Sequence, residues 1–124
     1  GYEPLLAQRA VGMIEPDMHS GLAPIRDRFL LLLSERQDSI QKNLELAIQS
    51  DDLADQYLAH IEATLHKIAG SAGTLGFSEL GDRAKATETN IIFQRTNGAT
   101  QYREIYFDII AFLECSIEAT CPAA

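Results

Sequence analysis

His66 is the residue in this chain best placed to do chemistry. It lies in the run Leu65-His66-Lys67-Ile68-Ala69-Gly70-Ser71-Ala72-Gly73-Thr74-Leu75-Gly76-Phe77. Leu58, Ile61, Leu65, Ile68, Ala72 and Leu75 recur at alternating spacings of three and four, the apolar seam of a packed helix. His66 is off that seam. With Ala59, Ala63, Gly70 and Gly73 it falls on the outward face, where long charged side chains normally stand. A glycine inside a helix costs about 1 kcal/mol relative to alanine. Two of them on a face that packs against nothing point to close access by another molecule. A neutral imidazole has one nitrogen with a free lone pair, which can act as a nucleophile, a base or a metal ligand. His60 is six residues away, the wrong spacing for joint ligation on one helix, so no metal site is expected.

Every periodic segment has the helical period, and no alternating β-branched run predicts a strand. The predicted fold is all-α: an antiparallel up-down four-helix bundle with a short extra N-terminal helix. Residues 1–22 are read as that short helix, about 4–14, and a linker, with the helix ended by the Pro16 region and set apart by a break at Ser20-Gly21. Residues 23–121 form the bundle. Its first helix starts near Pro24, a proline suited to a first turn, and carries Ile25, Phe29, Leu32, Leu33, Ile40, Leu44 and Ile48. Ser50-Asp51-Asp52 offers caps for a second helix over about 53–75, which stops at Gly76. Ser78 caps a third over about 79–95, with Leu80, Ala84, Thr87 and Ile91 inward. After an Asn97-Gly98 turn, a fourth over about 100–120 buries Tyr102, Ile105, Tyr106, Ile109, Ile110, Leu113 and Ile117.

The tight turn at Gly76-Phe77 allows a geometric step. In an antiparallel hairpin folded about Phe77, residues equally far from it stand at the same height. Glu88 and His66 are level, each about 16 Å from the turn at 1.5 Å per residue. Lys85 is level with Ala69. Glu88 lies on the side of its helix that holds Ala84 and Ile91, so it is predicted to be partly buried and to need a partner. A hydrogen bond from Nδ1–H of His66 to Glu88 would fix the tautomer that leaves Nε2 bare and pointing outward.

The 124 residues make one domain, with 18 acidic against 10 basic side chains and a formal charge of −8. That balance argues against nucleic acid, and no basic amphipathic segment suits a membrane surface. The aliphatic run Leu30 to Leu33 is far short of the roughly 20 residues that a membrane span needs. Cys115 and Cys121 read as reduced thiols without metal-ligand spacing. Glu3, Arg9, Glu15 and Asp17 interrupt any secretory leader, so a cytoplasmic location is expected. His19 is placed in a loop. Glu79, Asp82, Arg83 and Lys85 read mainly as a solvated face.

His66, Gly70, Ala72, Gly73, Leu75, Gly76 and Phe77, followed by Leu80, Lys85 and Glu88, give a pattern that resembles the histidine-containing phosphotransfer (HPt) domain, especially the amino-terminal phosphotransfer domain of chemotaxis histidine kinases. The resemblance implies a phosphorelay intermediate. His66 would take a phosphoryl group from a sensor histidine kinase or a receiver aspartate and pass it to the aspartate of a response-regulator receiver domain. Gly70, with Ala59, Ala63 and Gly73, would form the surface the receiver approaches. It implies a monomeric carrier with no cofactor and no ATP site, the magnesium belonging to the receiver. The glycines here lie within and at the end of a helix rather than in a phosphate-cradling loop. One position departs from the family: a lysine usually follows the histidine by three residues, and this chain has Ala69. Lys85 and Lys67 are the candidate cations for the added charge, with Lys85 reaching across the hairpin. The alternative reading is a non-phosphorylated helical adaptor that docks a partner on the small-residue face.

Overall fold

The computed structural model describes residues 15–98 and 102–120, with side chains placed for 21–98 and 102–119. Four helices follow one another: α1 (Glu15–Gln49), α2 (Ala54–Ala72), α3 (Ser78–Thr96) and α4 (Arg103–Thr120). Short 3-10 turns, Asp51–Leu53 and Gly73–Leu75, flank α2. The described residues contain no strand. Each helix packs on its neighbours in sequence and α4 closes back on α1, giving the all-α up-down bundle.

The α2 seam forms as its spacing dictates, with Leu58, Ile61, Leu65, Ile68 and Ala72 all fully buried. They meet Phe29, Leu33, Ile40 and Leu44 of α1, Leu80, Ala84 and Ile91 of α3, and Ile105, Ile109 and Phe112 of α4 in one core. Gly76 ends the second element as expected. At φ +93° it adopts the left-handed conformation that glycine tolerates best. The Phe77 amide bonds the Ala72 carbonyl at 2.9 Å and the Gly76 amide bonds that of Gly73 at 3.3 Å. This is the paired bonding of a Schellman turn. Phe77 then stacks on Phe29 of α1, ring centroids 5.2 Å apart, which pins the turn to the bundle.

Several boundaries differ from expectation. Helix α1 is continuous from Glu15, so residues 15–22 are helical rather than a linker, His19 is in a helix, and Pro24 lies inside α1. Pro16 is itself helical, within α1. The short helix expected over about 4–14 lies outside the described residues. Ser50 makes no side-chain cap, because the 3-10 turn takes up Asp51 and Asp52 before α2 begins. Ser78 is the first residue of α3, not its cap.

Packing also selects a narrower arc than the sequence pattern did. In α4 the buried line is Ile105, Ile109, Phe112 and Ser116, and Ser116 accepts a 3.0 Å bond from Gln37 Nε2 of α1. Ile110 and Ile117 lie on the flank and are exposed, while Tyr102, Tyr106 and Leu113 are only partly buried. In α1 the ends of the stripe, Ile25 and Ile48, are exposed, and Ala47 is buried in place of Ile48.

Candidate functional site

Helices α2 and α3 are antiparallel and joined by the Gly76 turn, and this brings His66 and Glu88 to one height. His66 Nδ1 and Glu88 Oε2 are 2.8 Å apart. The side chains differ sharply in exposure: 72% for His66 and 8% for Glu88. The ring therefore stands out from the helix with one edge anchored, and a carboxylate partner requires that the anchored nitrogen carry the hydrogen. Nε2 is then the lone-pair nitrogen. Glu88 Oε1 is buried and makes no hydrogen bond among the described residues, so Nδ1–H is the one donor the carboxylate has there. A buried carboxylate so poorly served holds its single donor firmly.

Beside the pair lies an open hollow of about 320 Å³, lined also by Ala69, Gly70, Gly73, Ser78, Gly81, Asp82 and Lys85. A Cβ built on Gly70 or Gly73 meets nothing within 4 Å, so neither glycine serves packing inside the molecule. Gly81 is the opposite case. A Cβ there would sit 3.4 Å from Ala72 Cβ and from the Gly73 backbone nitrogen, ordinary contact distance, so α3 lies directly against the end of α2 at the floor of the hollow.

Of the residues singled out from the sequence, His66, Glu88, Lys85, Gly70 and Gly73 come together at this hollow. Ala63 is exposed and Ala59 half-buried on the same helix, and neither lines it. Lys85 is exposed and forms no ion pair among the described residues. Lys67 is exposed and off the hollow; its carbonyl accepts the Ser71 hydroxyl at 3.2 Å. His60 is exposed and well separated along α2, and Arg83 lies 3.8 Å from Asp108 of α4. Burial pushes the free Cys115 thiol up from its ordinary pKa, which keeps it protonated and a poor nucleophile. Among the described residues no group of three His, Cys, Asp or Glu side chains could hold a metal, and no helix is long and apolar enough to cross a membrane.

Sequence reading missed two residues here. Gly81 sits one helical turn inside α3, where nothing in the pattern distinguishes it from a tolerated small residue. Arg95 bonds both Asp55 and Glu62 of α2, and the signal was present: counted from Phe77, Arg95 is level with Ala59, midway between those two acids.

The fold is thus an up-down bundle that presents an exposed, carboxylate-anchored histidine on α2. The family model described as Hpt domain matches residues 24–115, and the chain belongs to this family. Its members are phosphocarriers in phosphorelay signalling rather than catalytic enzymes, working with kinase and response-regulator partners. No similar curated protein and no similar solved structure was found.

Proposed function

We propose that His66 is the phosphoryl-accepting residue and that Nε2 is the atom that carries the group. The observation that supports this most directly is the 2.8 Å contact of His66 Nδ1 with buried Glu88, which leaves the other ring nitrogen bare on an exposed ring. The Nε2 lone pair attacks the phosphorus of a donor, a receiver aspartyl phosphate or the γ-phosphate of a kinase-bound nucleotide. The N–P bond forms as the P–O bond breaks, and the electron pair leaves with the donor oxygen. Nδ1 keeps its hydrogen throughout. The phosphorylated ring then bears positive charge, which the Glu88 carboxylate stabilises. In onward transfer a receiver carboxylate oxygen attacks the phosphorus, and the N–P electron pair returns to Nε2.

This chain supplies the positioned nucleophile and its counter-charge; magnesium and the electrophilic carboxylate belong to the partner. Gly70 and Gly73 keep the approach to the ring clear. Lys85, at the same hollow and free of ion pairs among the described residues, provides the cation that Ala69 does not. The module works as a monomer in the cytoplasm, and its docking face runs from the hollow toward Ala63 and Ala59.

Incubation with a phosphorylated receiver domain and magnesium should transfer acid-labile, base-stable phosphate to the wild-type chain and none to His66→Gln. Label retained by His66→Gln rules the assignment out. A wild-type chain that binds the receiver but takes no label would instead identify a helical adaptor.

A further inference from the structure

The α2–α3 seam carries a second polar rung beyond His66 and Glu88. Arg95 in the last turn of α3 donates from Nε and Nη2 to the two carboxylate oxygens of Asp55, at 2.8 and 3.1 Å. Its Nη1 donates to Glu62 Oε1 at 2.7 Å. All three guanidinium nitrogens are engaged, and the two acids lie two turns apart on α2. A rigid planar fork held between carboxylates above and below it resists sliding in either direction along α2.

Glu62 precedes His66 by one turn of α2, and Arg95 follows Glu88 by two turns of α3. The clamp therefore lies on the far side of the His66–Glu88 pair from the Gly76 turn. That placement matters because the pair is about 16 Å from the turn, and a tilt of about 4° between helices hinged there moves Glu88 by about 1 Å. Such a displacement carries a 2.8 Å contact beyond hydrogen-bonding range. The buried side chains Leu58, Ile61, Leu65 and Ile91 hold the two helices together along this stretch, and the Arg95 clamp adds a directional polar restraint at its far end.

We propose that Arg95 is a positioning residue for His66. By locking α3 to α2 beyond the pair, it keeps Glu88 Oε2 within reach of Nδ1 and so holds the tautomer whose Nε2 is bare. The consequence for transfer rate rests on reading His66 as the phosphoryl acceptor; the consequence for the tautomer does not.

The test uses the full chain labelled with nitrogen-15 and two-bond proton–nitrogen spectra of the imidazoles at a pH where they are neutral. The His66 signals are identified by their loss in His66→Gln. The wild type should show Nδ1 protonated and Nε2 bare. Arg95→Met keeps the aliphatic stem but removes the fork; it should shift His66 toward a mixture of tautomers and slow phosphoryl uptake roughly three- to tenfold. Arg95→Lys, which keeps the charge without the bidentate geometry, should fall between the two. An Arg95→Met variant with a lowered melting temperature and an unchanged His66 signature makes Arg95 merely structural and overturns the proposal. Should that variant fail to fold, the Lys variant decides by the same criterion. If the wild type accepts no phosphate while its tautomer still responds to Arg95, the functional reading falls and the positioning role stands.

Discussion

The two polar rungs of the α2–α3 seam are built on opposite principles. Around Arg95, three donors face two carboxylates, every guanidinium nitrogen is engaged, and the groups are quenched by one another. Around His66, one carboxylate meets one ring nitrogen, the second carboxylate oxygen has no partner among the described residues, and the second ring nitrogen faces solvent. The first rung spends its bonding capacity inside the molecule. The second keeps some in reserve, as a site that must form a bond to another molecule has to do. The backbone follows the same division: Gly81 lies in contact with α2, whereas Gly70 and Gly73 have nothing beside them.

The sharpest way to break this contrast is to fill the open space. Gly70→Leu places a side chain where a Cβ meets no neighbour, so the fold should be unharmed and a better helix former gained. Uptake from a phosphorylated receiver should nevertheless fall by about a hundredfold, as expected when approach is displaced by an ångström or more. Unchanged transfer kinetics would mean that the bare face is not the approach route.

Glu88→Ala should slow uptake by about tenfold or more, the scale for losing a residue that orients a reactive ligand. Thermal melting should change little, because the carboxylate removed is buried with an unpaired oxygen. A large loss of stability with normal uptake would reverse the roles assigned to the two rungs.

At the closed rung the expected effect is on stability, and it is smaller. The hydrogen bonds from Arg95 hold the Asp55 carboxyl below its ordinary value of 3.8, against the opposing effect of partial burial. A carboxyl with a depressed folded-state pKa stabilises the fold above its unfolded pKa and loses that contribution as pH falls through the folded value. Asp55 is more than half exposed, so after solvent screening the contribution is about 1 kcal/mol or less. The melting temperature of Asp55→Asn should lie below that of wild type at neutral pH and converge with it as pH falls through the depressed folded-state pKa of Asp55. Parallel curves across that range would show that the ion pair does not stabilise the fold.

Lys85→Met should have the mildest consequence, shortening the lifetime of the phosphorylated chain by two- to threefold, the scale of one exposed charge interaction. The effect should shrink at high salt. A lifetime that does not depend on this side chain would leave Ala69 without a compensating cation.

Much of this site could be read without coordinates. The alternating spacing of the α2 seam sets which way His66 points, because helical geometry ties each residue's direction to its neighbours three and four away. Gly76 marks the turn because few other residues adopt its left-handed backbone, and once the turn is placed, constant rise per residue puts Glu88 level with His66. The same count places Arg95 between Asp55 and Glu62, so the clamp too was legible.

What the sequence could not decide depends on contact between helices. Phe112 and Ser116 enter the core while Ile110 and Ile117 stay on the flank, because the rotation of α4 is set by what α1 and α3 present to it. Whether the first bundle helix starts at Pro24 or runs through it was not decided by local pattern either. That Gly81 lies against the end of α2 is visible only once the helices are packed. Local geometry, which follows from chain chemistry alone, determined the direction and height of the reactive ring; the closeness of the two helices, and with it the 2.8 Å contact that orients that ring, came from packing across the bundle.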